Sequence, residues 1–200
     1  MELERVLFIL HPYNKKGVRI MKKLILLLMV VISATISFAG GQHDQSPMTK
    51  KEQRKAEAEK AYQLTKQMLE NKDFVLESDF LQDKYGNRNV VSPMINFVAV
   101  DSSVAVIQIG SNRGLGYNGV GGITAKGTIT DWKLKEDEKR NSFTLSMNVM
   151  TNLGMYDLHF NIGSSGNATA RLTGLRPGQL TFDGDLVPIE ESSVYEGRSL

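Results

Sequence analysis

Phe143-Thr144-Leu145-Ser146-Met147-Asn148-Val149-Met150-Thr151-Asn152-Leu153-Gly154-Met155-Tyr156-Asp157-Leu158-His159-Phe160-Asn161-Ile162 decides the fold. One register across a turn at Thr151–Gly154 matches every cross-strand pair by polarity. Phe143 meets Ile162, Leu145 meets Phe160, Met147 meets Leu158 and Val149 meets Tyr156 on one face, while Thr144/Asn161, Ser146/His159 and Asn148/Asp157 share the other. Side chains alternate across a strand, so a slip of one residue mixes the faces. The stretch therefore reads as an antiparallel hairpin with one apolar side. The chain continues through Gly163-Ser164-Ser165-Gly166 into Ala168, Ala170 and Leu172, set to face Phe160 and Ile162. Arg176-Pro177-Gly178 reads as a turn, Pro presetting φ and Gly supplying φ > 0. A last strand carries Leu180, Phe182, Gly184 and Leu186 on one face.

Working back from the hairpin, Ile123, Ala125, Gly127 and Ile129 share a face, but Trp132 and Leu134 have switched parity. A β-bulge near Thr130-Asp131 restores both to the core. Ile95 to Ile109 folds on itself about Asp101-Ser102-Ser103, which sets Ile95, Phe97 and Ala99 against Ile109, Ile107 and Ala105. From Asp73 onward, Phe74, Leu76 and Phe80 alternate with Val75, Glu77 and Asp79 as a half-buried strand, interrupted at Gly86-Asn87. The reading is a mostly β domain over residues 72–200: about eight antiparallel strands in a meander, either barrel-like or a two-layer sandwich. One amphipathic helix over residues 49–71 precedes it. Thr49 and Glu52 have the spacing of a capping box, and Ala61, Tyr62, Leu64, Thr65, Met68 and Leu69 form one buried stripe. The first half of that helix is nearly all charged. Asn71 is the expected stop, since Asn tolerates the left-handed conformation past a helix end.

The N-terminal residues carry a different signal. Met21-Lys22-Lys23, the apolar run Leu24 to Ile36 and Ser37-Phe38-Ala39 are the three parts of a cleaved signal peptide over residues 21–39. Residues 1–20 read as an over-extended gene start and residues 40–48 as a linker. The apolar run is short for a membrane anchor, which needs about 20 residues, so no membrane span is expected after cleavage. Residues 1–39 hold six of the 24 Lys+Arg and two of the 22 Asp+Glu, which leaves a mature chain of net charge −2. The basic character of the whole sequence belongs largely to the leader, and nucleic acid is not an expected partner. With no cysteine in the chain, stability has to come from burial.

Few motifs carry chemistry. Gly114-Leu115-Gly116-Tyr117-Asn118-Gly119 matches the dinucleotide fingerprint by letter, but a strand rather than a helix follows it, so no pyrophosphate site forms. The stretch reads as part of a loop from Ser111 to Gly122, whose Arg113, Tyr117 and Asn118, with Tyr156 of the hairpin, are candidate ligand contacts. His159 is the one histidine inside the domain; with Asp157 it supplies only two ligands, short of a metal site. Arg171 beside them would repel a cation. Asp183 and Asp185 share a strand face as solvated charge, and no serine sits in a nucleophile elbow. No catalytic residue, metal or cofactor is expected.

The strand Ile107-Gln108-Ile109-Gly110, with Gly119-Val120-Gly121-Gly122-Ile123-Thr124, Leu172-Thr173 and Ser193-Val194-Tyr195-Glu196-Gly197, resembles an uncharacterised family of exported proteins of Gram-negative gut bacteria, known only as a domain of unknown function. The likeness runs from Met68 to Tyr195. It implies a periplasmic or envelope location and supplies no activity. From the residues, the first expectation is a non-catalytic periplasmic binding domain for a small apolar or envelope-derived ligand. Phe143, Leu145, Met147, Tyr156, Leu158, Phe160 and Phe182 stand opposite Ala125, Gly127, Ala168, Ala170 and Gly184, and an eight-stranded barrel can hold one small ligand. The same large and small residues can instead interlock as a filled core. The alternative function is an envelope protein–protein interaction or scaffold module that uses the charged half of the helix. A hydrolase using Asp157 or Asp183 comes third.

Overall fold

The computed structural model describes residues 49–111, 118–175 and 178–199. The gene start, signal peptide and linker expected over residues 1–48, and the Arg176-Pro177 part of the last turn, lie outside the described residues. Helix α1 spans Lys50–Asn71 and is followed by strands β1 (Asp73–Asp83), β2 (Arg88–Val90), β3 (Phe97–Asp101), β4 (Val104–Ile109), β5 (Ile123–Asp137), β6 (Ser142–Thr151), β7 (Gly154–Ile162), β8 (Asn167–Leu175) and β9 (Gly178–Val187). Every pairing is antiparallel. β1 pairs with β3 on one side and β9 on the other, so β1 and β3 to β9 close an eight-stranded barrel. β2 is an added three-residue strand on the second half of β1.

The decisive hairpin has the expected register: Phe143↔Ile162, Leu145↔Phe160, Met147↔Leu158 and Val149↔Tyr156, with Ser146 opposite His159. Burial alternates along β7 from Met155 to Ile162. The bulge in β5 is present between Ile129 and Asp131, and Trp132 and Leu134 return to pack on the core.

Three details differ from the sequence-based expectation. First, the β3–β4 hairpin turns on Ser102-Ser103 alone, with Ser102 in the left-handed region (φ 53°), so Phe97 pairs with Gln108 and Val98 with Ile107. This one-residue shift sends Val98, Val100, Ala105 and Ile107 into the barrel and turns Phe97, Ala99 and Val106 outward. Second, a register shift in β1 between Ser78 and Phe80 places Leu81 in the core. Phe80 lies under the Arg88 guanidinium, 3.6 Å from the ring centroid. Third, Leu64 of α1 is exposed, so the docked stripe narrows to Thr65, Met68 and Leu69 with Tyr62 at its edge.

The helix starts where its capping box forms: Thr49 accepts from the Glu52 amide while Glu52 accepts from the Thr49 amide. It ends at Asn71, and the left-handed conformation falls on the following Lys72, which donates its N–H to the Met68 carbonyl. Tyr62 stacks on Phe143 at the start of β6, Lys66 pairs with Glu136 at the end of β5, and Thr65 sits against Gly166 in the β7–β8 turn. These three points belong to one end of the barrel, so α1 covers that mouth.

Candidate functional site

Inside the barrel the inward residues interlock. Ala170 pairs with Phe160 on one side and Phe182 on the other, and Ala168 stands between Ile162 and Gly184. Phe74, Phe160 and Phe182 are fully buried, and Phe74 meets Phe160 edge-on at 6.0 Å. Small positions on one strand are thus filled by large side chains of its neighbours, as expected for a barrel just wide enough for its own side chains. Tyr156 belongs to this set, buried with its phenol pushed to a higher pKa by desolvation.

An apolar groove lies instead on the outside. Register places Val187, Val75, Ala99, Val106 and Lys126 in one row across β9, β1, β3, β4 and β5. The next row runs Glu77, Phe97, Gln108, Thr124. The chain after β9 makes a short turn at Ile189–Glu191 and then crosses this second row as a strap. Ser192 Oγ donates to Glu77 at 2.6 Å, Gln108 Nε2 donates to the Tyr195 carbonyl at 2.7 Å, and the Gly197 amide donates to Gln108 Oε1 at 2.7 Å. The first row lies beside the strap, with Val75 and Val106 buried and Ala99 half-buried. It forms the floor of a groove of about 420 Å³, walled by Ile189, Ser192, Val194 and Glu196 and bordered on the open side by Asp101 and Val104.

The hollow has a simple origin. Val75 and Val106 flank Ala99, so the middle of the floor lacks the bulk that either neighbour would supply. The charged end of the row is closed by Lys126, whose ammonium lies 3.0 and 3.2 Å from the two oxygens of Glu196.

Buried polar side chains hold the strap. Gln108 also accepts from Thr124 Oγ1 at 3.0 Å and donates to the Ile95 carbonyl. Asn118 donates to Thr124 Oγ1 at 3.1 Å, accepts from the Val120 and Gly122 amides, and takes the Arg198 amide on its own carbonyl. Asn96 accepts from the Gly110 amide. Two glycines are required by contact: a Cβ at Gly122 would sit 2.0 Å from the Ile109 carbonyl oxygen, and one at Gly197 would sit 2.5 Å from that of Asn118. Sequence reasoning missed this network as a unit. Its signal was Gln108, an amide in the middle of the otherwise apolar strand Val104–Ile109.

The remaining candidates are not brought together. Arg113 and Tyr117 lie outside the described residues. Asn118 sits in the strap network, and Tyr156 is across the barrel wall from the groove. His159 is on the polar outer wall with Nδ1 2.9 Å from Ser146 Oγ. Asp157 contacts Asn148 and Thr173 instead of the other nitrogen of that ring, so no relay forms. Asp183 is paired with Arg88. Among the described residues no group of three or more His, Asp or Glu is placed to hold a metal, and no helix is long and apolar enough to cross a membrane.

No curated protein matches this chain. A crystal structure of a DUF4251 family protein from Bacteroides eggerthii DSM 20697 is similar in fold, with a TM-score of 0.57 and 26% identity over 71% of this chain and 97% of that one. Residues 56–186, from the helix through all nine strands to the end of β9, match the pattern described as "Domain of unknown function (DUF4251)". The chain belongs to the DUF4251 family.

Proposed function

We propose that this protein is a non-catalytic binding domain for a small apolar or envelope-derived ligand, and that the ligand seats in the outer groove beneath the strap. The observation that carries the reading is the floor: Val75 and Val106 flank the half-buried Ala99, which leaves a hollow of small-ligand size. Apolar surface rimmed by polar side chains is a common mark of a ligand-binding groove. The signal-peptide pattern at residues 21–39 supports a periplasmic or envelope location for this binding. N-terminal sequencing of the protein recovered from a periplasmic fraction tests the location, with Gly40 as the expected first residue.

Native mass spectrometry of protein purified from its own host, followed by lipid extraction, tests the binding. A bound mass that disappears in Ala99→Phe supports the groove. A clean apo mass together with no binding across a lipid panel overturns it.

A second reading has its own observation. Lys50 to Lys60 is exposed at every residue except the half-buried Ala56, although its helix start is capped. That surface suits an envelope protein partner. In-cell crosslinking from Lys50–Lys60 tests it: specific partners lost on deletion of the segment favour an interaction module, and their absence leaves the groove.

A further inference from the structure

Resting on the groove reading above, we infer that the ligand is a cationic amphiphile, an apolar chain ending in an ammonium or guanidinium group, with the cation on Asp101. The charges around the groove are few. Lys126 and Glu196 neutralise each other at 3.0 Å at one end. The Ser192 hydroxyl donates its hydrogen bond to Glu77. Asp101 remains, on the open side, with a hydrogen bond from Ser102 Oγ and, among the described residues, no ion pair.

A second carboxylate stands directly beside it. Asp73 is the cross-strand partner of Asp101 in the β1–β3 register, and both are exposed. Like charges directly opposite on neighbouring strands are destabilising. The nearest basic residue in sequence, Lys72, is turned away with its ammonium 5.0 Å from the Trp132 ring centroid. Among the described residues no Lys, Arg or His pairs with Asp73 or Asp101. The groove thus presents an apolar floor with Asp101 on its open side and Asp73 next to Asp101 on the neighbouring strand. An anionic head group would meet repulsion from both and would have to displace Glu196 to reach Lys126. A neutral head group leaves the carboxylate pair as it is. Only a cation relieves it.

The test uses three chains of equal length that differ in head group: dodecylamine, dodecanol and dodecanoate, each titrated into the full-length mature protein below its micelle concentration. Calorimetry reads affinity, and amide chemical shifts of Ala99, Asp101 and Val104 locate binding in the unmodified protein. The amine is expected to bind about threefold to tenfold more tightly than the alcohol, the range of one or two exposed ion pairs, and dodecanoate most weakly of the three. Added salt should erode the preference, and Asp73→Asn with Asp101→Asn should abolish it while thermal unfolding shifts no lower, since the like-charge pair is relieved. If all three bind alike at the groove, the cation inference falls and the groove reading stands. If dodecanoate binds best and loses its advantage in Lys126→Ala, the inference is reversed. If none shifts Ala99 or Val104, both readings fall together.

Discussion

Tyr62 of the helix lies stacked on Phe143 of β6, with ring centroids 5.2 Å apart and planes 20° off parallel. It is the apolar anchor by which α1 covers one mouth of the barrel, and its hydroxyl also donates to Glu136. Tyr62→Ala removes both links. The ring pair contributes about 0.5–1.5 kcal/mol beyond area burial. Because Tyr62 is only half-buried, the total should stay below the roughly 3–5 kcal/mol of a fully buried aromatic. We expect about 2 kcal/mol by urea denaturation, with faster amide exchange in Thr65–Leu69. A loss under about 0.5 kcal/mol would mean that Met68 and Leu69 dock the helix without it.

The same corner predicts a pH response. Lys66 donates to Glu136 at 2.8 Å, and that bond, followed by the one from Tyr62, holds the Glu136 carboxyl below its ordinary range. In turn Glu136 raises the Lys66 ammonium and the Tyr62 phenol. A carboxylate with a lowered folded pKa adds stability that is complete above its ordinary value, about 4.3, and lost as pH falls through the lowered one. The raised lysine adds stability that is complete below its ordinary value, about 10.4, and lost as pH rises through the raised one. Helix docking should therefore be flat across neutral pH and weaken at both extremes, as read from the Tyr62 ring resonances. Glu136→Gln should flatten the acid limb; an unchanged acid limb in that variant would assign it elsewhere.

Phe160 and His159 are neighbours in β7 with opposite consequences. Phe160 is fully buried against Phe74, so Phe160→Ala should cost about 3–5 kcal/mol. His159 is exposed and, among the described residues, its side chain hydrogen-bonds the hydroxyl of Ser146 alone, so His159→Ala should stay within roughly 0.5 kcal/mol. Chemical denaturation of the two variants side by side measures the difference. Comparable losses would show that the polar wall around Ser146 and Asn148 has a structural role that its exposure conceals.

These two residues also show why part of the fold was legible. In β6 and β7 one face is apolar and the other polar, so any slip in register exposes Phe160 or buries Asp157, and the alternation alone selects the pairing. β3 and β4 lack that contrast. Val98 and Val100 face the core while Phe97, Ala99 and Val106 face the strap, and a slip of one residue exchanges apolar for apolar. The turn conformation at Ser102 decided the register there, which residue type did not announce. The groove was illegible for the same reason. Its wall exists only because the chain after β9 returns over the outside of the barrel, a contact between Gln108 and Gly197 that no local periodicity encodes.

Gln108 gives the sharpest test of that return. Its side chain joins the Ile95 and Tyr195 carbonyls, the Thr124 hydroxyl and the Gly197 amide, and it is fully buried. Gln108→Ala removes one donor and one acceptor but leaves their partners under the strap, where each unpaired buried group costs about 1–3 kcal/mol. The barrel can avoid most of that cost by releasing the strap to water, because Tyr195–Arg198 are otherwise held by few contacts, chiefly Tyr195 to the Met94 carbonyl, Arg198 to the Asn118 carbonyl and Glu196 to Lys126. The expected outcome is therefore local: the Tyr195, Gly197 and Arg198 amides lose exchange protection by tenfold or more, while those of Leu145, Leu158 and Phe160 keep theirs. Any apolar ligand should weaken in parallel, because Val194 and Glu196 are its wall. Uniform loss of protection across barrel and strap would show instead that the strap folds as one cooperative unit with the barrel, and that Gln108 supports the whole domain.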